Sequence, residues 1–279
     1  MSMKDGFKSM VEQLASSFEI PDITDVYFPE FRPGGQPKYD AFMAVFLQGG
    51  ASGVSCVLVP DELKQSYGKL KPADFVGNNP AAWARHFGSD DPVTSMVSLA
   101  CLNALCRHVI TESGFPMDFE TDSLGLLSAG RGDTVGMVGL FPQLVGRITQ
   151  AGARLVVIEK KEQLVEHFTD ATITLDPTAL RDCNKVLCTS TTLLNNTIDE
   201  ILGCCSKGAH ISIVGPTAGF FPDPLFRRGV EVVGGTFVHD GALFYRLIRQ
   251  GERWGPATRK FCFRKDRYQG APVRRAVAP

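Results

Sequence analysis

The sequence lacks a paired-cysteine signature. Its eight Cys, at positions 56, 101, 106, 183, 188, 204, 205 and 262, form no CxxC pair, and no His stands at zinc-finger spacing from them. A structural zinc site and a redox dithiol are therefore not expected. Several of these Cys lie inside apolar runs, as Cys56 does in Val54–Val59, and read as buried reduced thiols acting as small hydrophobes. An excess of one charge is also missing. Lys and Arg number 29 against 30 Asp and Glu, a formal net charge of -1, so no global basic field invites nucleic acid. No apolar run approaches the roughly 18 residues that span a bilayer. Residues 1–19 mix Lys4, Asp5, Lys8 and Glu12 among apolar positions, unlike the uncharged core of a signal peptide. These absences lead to the expectation of a cytoplasmic protein whose partners include neither nucleic acid nor membrane. There is no Walker A sequence, no recognisable Ser-His-Asp or Cys-His constellation and no internal repeat, so no catalytic residue is identified.

What is present suits two domains. The chain has 279 residues, 44% hydrophobic and 21% charged, enough to bury a core without disulfides. Phe7, Met10, Val11 and Leu14 recur at helical spacing within Lys4–Phe18. Three β-like runs follow, Ile23–Phe28, Ala41–Leu47 and Val54–Val59, the last two joined by the Gly49–Gly53 turn. The stretch Lys64–Phe87 gives no clear pattern. Pro92–Thr111 is a helix, with Asp90 or Asp91 as cap and Pro92 at its first position. The first part, 1–118, is thus an α+β domain, and Glu112–Gly132 is a linker candidate.

From Asp133 the pattern changes to strand-like runs alternating with helical ones. These are Thr134–Gly139 then Leu144–Ala151, and Arg154–Glu159 then a segment to Phe168. Lys185–Thr189 then Thr197–Cys205 follow, and His210–Val214 then Pro224–Arg228. Val230–Gly234 and a helix at Ala242–Gln250 close the series. Such alternation implies right-handed crossovers and a mainly parallel sheet with helices on both faces, a Rossmann-like domain over 119–279. From Arg259 the basic tail reads as a solvated, partly disordered end.

In an open parallel sheet, ligands bind beyond the C-terminal ends of the strands. Four segments fall there. Gly136 to Pro142 joins a strand to a helix: glycines permit close backbone approach, and Pro142 begins a helix whose free N–H groups favour anions. It is not the full GxGxxG fingerprint. Glu159, about twenty residues past Gly139, stands where dinucleotide-binding domains hold a ribose hydroxyl. Thr189, Ser190, Thr191, Thr192, Asn195 and Thr197 supply small donors and acceptors, some of which must cap the following helix. Gly215, Pro216 and Thr217 follow the next strand.

Three runs, VGMVGLFPQLVGRITQAGARLVVIEK from Val135, CTSTTLLNNTIDEIL from Cys188 and IVGPTAGFFPDPLFRRGVEVVGG from Ile213, resemble the DUF364 family of heavy-metal chelation domains. Ser98–Leu105, SLACLNAL, resembles a helix of the associated DUF4213 domain, which has an enolase N-terminal-like fold. The resemblance implies a ligand site in a cleft between the two domains. It carries ligand roles to Gly136, Gly139, Pro142, Thr191, Thr192, Asn195, Thr197, Gly215 and Pro216, and brings Asn103 to the cleft. The family usually has Gly where Ser190 stands and Ser where Thr217 stands, which bears on ligand size.

The expected function is binding of a small anionic organic ligand, or of its metal complex, in a heavy-metal chelation role. No cofactor is named by the residues; the resemblance implies a metal ion or metal–organic complex, with His239 and Asp240 as candidate metal ligands. The alternative is an enzyme using NAD(P) or S-adenosylmethionine, with Gly136–Pro142 over the phosphates. A homodimer is compatible with a chain of this size.

Overall fold

A computed structural model of the chain describes residues 2–31, 41–122, 127–159 and 171–273. Helix α1, Met3–Ser17, starts with a reciprocal cap between Ser2 and Asp5 and buries Phe7, Met10, Val11 and Leu14. Strands β1 (Ile23–Tyr27), β2 (Phe42–Leu47) and β3 (Ser52–Cys56) form an antiparallel sheet in that order. The unpatterned stretch after them holds two short helices, α2 (Lys64–Tyr67) and α3 (Pro80–Ala84). Helix α4, Pro92–Ser113, is capped at its start by Asp91, whose carboxylate accepts from the Thr94 N–H. It is ended by Gly114 in the left-handed conformation.

The second part carries β4 (Thr134–Val138), α5 (Pro142–Gln150), β5 (Arg154–Ile158), β6 (Thr172–Thr174), β7 (Lys185–Thr189) and α6 (Ile198–Cys204). It continues with β8 (His210–Val214), α7 (Asp223–Arg227), β9 (Val232–Val238), α8 (Gly241–Arg249) and β10 (Thr258–Arg264). Its seven-stranded sheet runs β10-β9-β8-β7-β4-β5-β6. All neighbours are parallel except β10 on β9. Counted from β4, this is the strand order of a doubly wound dinucleotide-type sheet, and the order reverses between β4 and β7. The fold is therefore the expected mixed α/β architecture, a mainly parallel sheet beside a smaller antiparallel one.

Two expectations are corrected. The stretch from Arg259 is not a solvated tail: it forms most of β10, where Phe261, Cys262 and Phe263 are buried while Arg259 and Lys260 stay exposed. Three apolar side chains covered by the sheet and its neighbours outweigh the solvation of the flanking basic groups. The absence of a membrane-length apolar segment is also revised. By length and composition α4 could cross a bilayer, yet 78% of its apolar window is buried inside the protein, as expected of a core helix. The helix expected between Glu159 and Phe168 falls outside the described residues, as do Arg274 and Arg275.

Strand periodicity shows how the parts interlock. Met43, Val45 and Leu47 of β2 face the core around α4, whereas Ala44 and Phe46 face Phe244, Leu247, Ile248 and Trp254 of the second part. Both faces of the small sheet are buried, which is why β2 reads as an unbroken apolar run. The core around α4 is itself shared, holding Phe7 and Leu99 together with Phe220, Phe221 and Phe263.

Contact between β3 and α4 is closest at Gly53. A Cβ there would lie 2.2 Å from Ala104 N and 2.3 Å from Ala100 O, against backbone that cannot yield. Gly53→Ala is expected to lower unfolding free energy by about 2–3 kcal/mol. Gly203→Ala, on the exposed face of α6 with nothing near it, should raise it by about 0.5–1 kcal/mol. Urea denaturation of both variants checks this; a neutral Gly53→Ala would mean that β3 and α4 are not so close.

Candidate functional site

The candidate loops all emerge at one edge of the large sheet, past the C-terminal ends of β4, β5, β7, β8 and β9. At the reversal point Gly139 follows β4 with φ 78, and a Cβ on it would lie 2.8 Å from Thr189 Cγ2. Gly215 follows β8 with φ 150, and its Cβ would lie 2.2 Å from Ser190 Oγ. Glycine is required at both positions, by conformation and by space. Thr189 and Thr191 share a 3.0 Å hydroxyl–hydroxyl bond and are half-buried, like Gly139, Gly215 and Pro216. The structure thus brings Gly139, Thr189, Ser190, Thr191 and Gly215 together. Pro142 is exposed at the first turn of α5.

Other expected site residues are engaged within the protein. Gly136 lies inside β4 rather than in the loop, and a Cβ there would meet Leu180 Cδ2 at 2.4 Å; its lack of a side chain makes room for packing. Thr192 is 3% exposed, and its hydroxyl donates to the Thr189 carbonyl at 2.8 Å. Asn195 Oδ1 accepts from Thr197 Oγ1 at 2.7 Å and from Thr197 N at 3.3 Å, holding the entry to α6. Glu159 Oε2 accepts from the Leu140 N–H at 3.0 Å, which sets a carboxylate against the glycine loop. His239 is exposed, and Asp240 caps α8 by accepting from Leu243 N at 2.9 Å.

Asn103 lies where the two parts meet. Its Nδ2 donates to the carbonyls of Val54 (2.7 Å) and Thr217 (2.8 Å), tying β3 and the loop after β8 to α4. Thr217 completes the tie by accepting at Oγ1 from Cys56 N at 3.3 Å. Asn103 is 2% exposed, and among the described residues its Oδ1 has no partner. Flipping the amide would set oxygen against two carbonyls, so the orientation is fixed by its neighbours. An unmet buried carbonyl of this kind costs about 1–3 kcal/mol.

Arg107, one turn further along α4, was not singled out from the sequence. Its Nε donates to Val238 O at 2.8 Å, Nη1 reaches Thr111, and the guanidinium lies 4.1 Å from the centroid of the Phe237 ring. Burial pulls its pKa down, but Arg starts from above about 12 and stays charged at neutral pH. The available signal was an Asn and an Arg at i and i+4 of α4, which places both on one face.

Fold and edge together define a doubly wound α/β protein with glycine turns and small hydroxyl side chains gathered at the reversal of its strand order. A family model matches residues 122–265. The chain belongs to the DUF364 family, described as "Putative heavy-metal chelation". Two solved structures of DUF364 proteins of unknown function share its fold. One, from Desulfitobacterium hafniense DCB-2, is 18% identical with a TM-score of 0.65, covering 93% of this chain and 98% of that one. The other, from Pyrococcus horikoshii, is 17% identical with a TM-score of 0.72, covering 94% and 100%. No curated protein matches the chain.

The family description raises the question of a metal held directly by side chains. Among the described residues no group of three His, Cys, Asp or Glu converges on a point. The thiols do not favour it either. Burial pushes Cys106, Cys188 and Cys262 up to about 12 and Cys205 to about 11, and it raises Cys101 and Cys183 as well. Metal ligation needs the thiolate, so the donors described here do not fit direct coordination of a soft ion.

Cys101, Cys106, Cys183, Cys188 and Cys262 are buried and free. They are expected to resist a bulky disulfide reagent at pH 8 in the folded protein and to react on denaturation. Stoichiometric reaction of all eight Cys without unfolding would contradict the burial described.

Proposed function

We propose that the chain binds a small anionic organic ligand, or the complex that such a ligand forms with a metal ion, at the C-terminal edge of its large sheet. This binding is its part in heavy-metal chelation. The observation that carries the reading is the meeting of Gly139, Thr189, Ser190, Thr191 and Gly215 at the reversal point, where half-buried hydroxyls lie beside glycine turns. Hydroxyls and backbone N–H groups suit carboxylate, phosphate and hydroxyl oxygens, and the start of α5 favours negative charge. Hard or soft metal ions held by protein alone need carboxylate, imidazole or thiolate donors in number. In this reading the ligand supplies those donors and the protein holds the ligand. His239 and Asp240 are left out of it, since the Asp240 carboxylate is engaged in capping α8.

The reading extends to the first part of the chain, taken as the associated DUF4213 domain with its enolase N-terminal-like fold. The shared fold with both DUF364 structures covers 93% and 94% of this chain, so it takes in the first part as well as residues 122–265. The protein is proposed to act in the cytoplasm on a small molecule, consistent with its near-zero net charge.

A second reading rests on the sheet itself. The dinucleotide-type strand order, with Glu159 after the second strand of that series, keeps an enzyme using NAD(P) or S-adenosylmethionine in play. Against it, the Glu159 carboxylate, which would hold a ribose hydroxyl, already accepts from the Leu140 N–H of the glycine loop.

Native mass spectrometry of gently purified protein, with elemental analysis of the same sample, separates these readings. A mass excess lost on denaturation, with metal present only alongside an organic component, is expected. A bound mass equal to a nucleotide would replace the first reading by the second. Stoichiometric metal with no organic component would overturn both.

A further inference from the structure

A cavity of about 720 Å³ lies between the end of β1, the residues around α2 and the last turn of α8, with Tyr27, Phe28, Phe31, Tyr67, Leu70 and Arg249 among its described walls. Its volume falls within the roughly 300–1,000 Å³ of small-molecule pockets. We infer that this cavity is a binding site for a neutral, planar aromatic compound carrying a carbonyl group, with the ring against the Phe and Tyr walls and the carbonyl accepting from Arg249.

The walls carry the aromatic preference. The Phe31 and Tyr67 rings pack with centroids 4.9 Å apart, and Phe28 meets Tyr67 edge-on at 5.9 Å. The Tyr67 hydroxyl donates to the Pro29 carbonyl at 2.9 Å, which fixes the middle ring of this row. The row is anchored at one end, where Phe28 packs on the buried Phe75. At the other end Phe31 stays 36% exposed, a large apolar surface beside a volume that a flat ring would fill. Aromatic rings gain from offset or edge-to-face contact with one another beyond the area they cover.

Arg249 carries the carbonyl preference. Its Nη2 is paired with Asp25, and its guanidinium carbon lies 4.9 Å from the centroid of the Tyr245 ring. Asp25 is held in turn by the Tyr245 hydroxyl at 2.9 Å and by the Val26 N–H at 2.8 Å, so the guanidinium is fixed in the wall. A guanidinium has several N–H donors. Among the described residues, those of Arg249 other than the one on Asp25 have no partner. Arg249 therefore offers donors while Asp25 answers its charge. A neutral carbonyl uses those donors, whereas a carboxylate would bring a second negative charge close to Asp25. The inference shares no residue with the edge at Gly139 and Thr191 and does not need that edge to hold a ligand.

The test is ligand-observed NMR titration of the full chain with benzamide, cyclohexanecarboxamide and benzoate. Benzamide is expected to bind at least about fivefold more tightly than cyclohexanecarboxamide, whose ring is not flat. Benzoate should bind no more tightly than benzamide. Phe31→Ala, at an exposed position, should weaken benzamide by about fivefold or more, as should Arg249→Met, which keeps the stem and removes the donors. Thermal unfolding of both variants confirms that they fold. Should either fail to fold, the preferences of the unaltered protein decide alone. No binding of benzamide at millimolar concentration, or equal binding of benzamide and cyclohexanecarboxamide, would overturn the inference. Tighter binding of benzoate would overturn the neutral class. An undiminished affinity in folded Phe31→Ala would place the compound on another surface and overturn the site, and the same result in folded Arg249→Met would overturn the role of the guanidinium.

Discussion

Helix α4 must be buried on almost every side, and the rest of the structure follows from how that is done. One side of α4 meets the small sheet closely enough that β3 tolerates only glycine at position 53. Another side lies under the loop after β8, through Asn103, and under Phe220 and Phe221. The outer face of the small sheet is covered in turn by α8, where Gly241 approaches so near that a Cβ would fall 2.4 Å from Gly50 O. Each part closes a face of the other. Among the polar atoms that burial leaves without a described partner, Asn103 Oδ1 belongs to the side chain that ties α4 to the loop after β8, at the edge where the loops of the large sheet end.

Much of this was legible from sequence because the signals are local. Asp91 and Pro92 mark the start of α4, and the Gly139 and Gly215 turns follow runs of β-branched and apolar residues that become β4 and β8. What escaped depended on distant partners. β10 carries Arg259 and Lys260 on exposed positions beside three buried residues, and as an edge strand flanked by charges it imitates a basic tail. β6 spans three residues only, too few for periodicity to register.

The site was legible as a set of loops but not as a set of side chains. Small polar residues near helix starts can serve a ligand or their own backbone, and the sequence does not say which. Thr192, Asn195 and Asp240 serve the backbone, whereas Thr189 and Thr191 remain at the half-buried surface. Arg107 shows the converse. Its spacing from Asn103 is the one local mark, and its meaning comes from Val238 and Phe237, which lie 131 and 130 positions away in β9.

A protein that recognises a chelator needs oxygen-matching donors more than it needs metal ligands of its own. The edge described here has that character: hydroxyls at Thr189 and Thr191 beside glycine turns. A crystal structure of gently purified protein, frozen without added ligand and with data collected across metal absorption edges, tests the claim most directly. The account predicts non-protein density along the edge between Gly139, Thr191 and Gly215, with any anomalous signal surrounded by that density rather than by side chains. A metal ligated by three or more side chains, or an edge holding ordered water alone while a ligand occupies another surface, would contradict it.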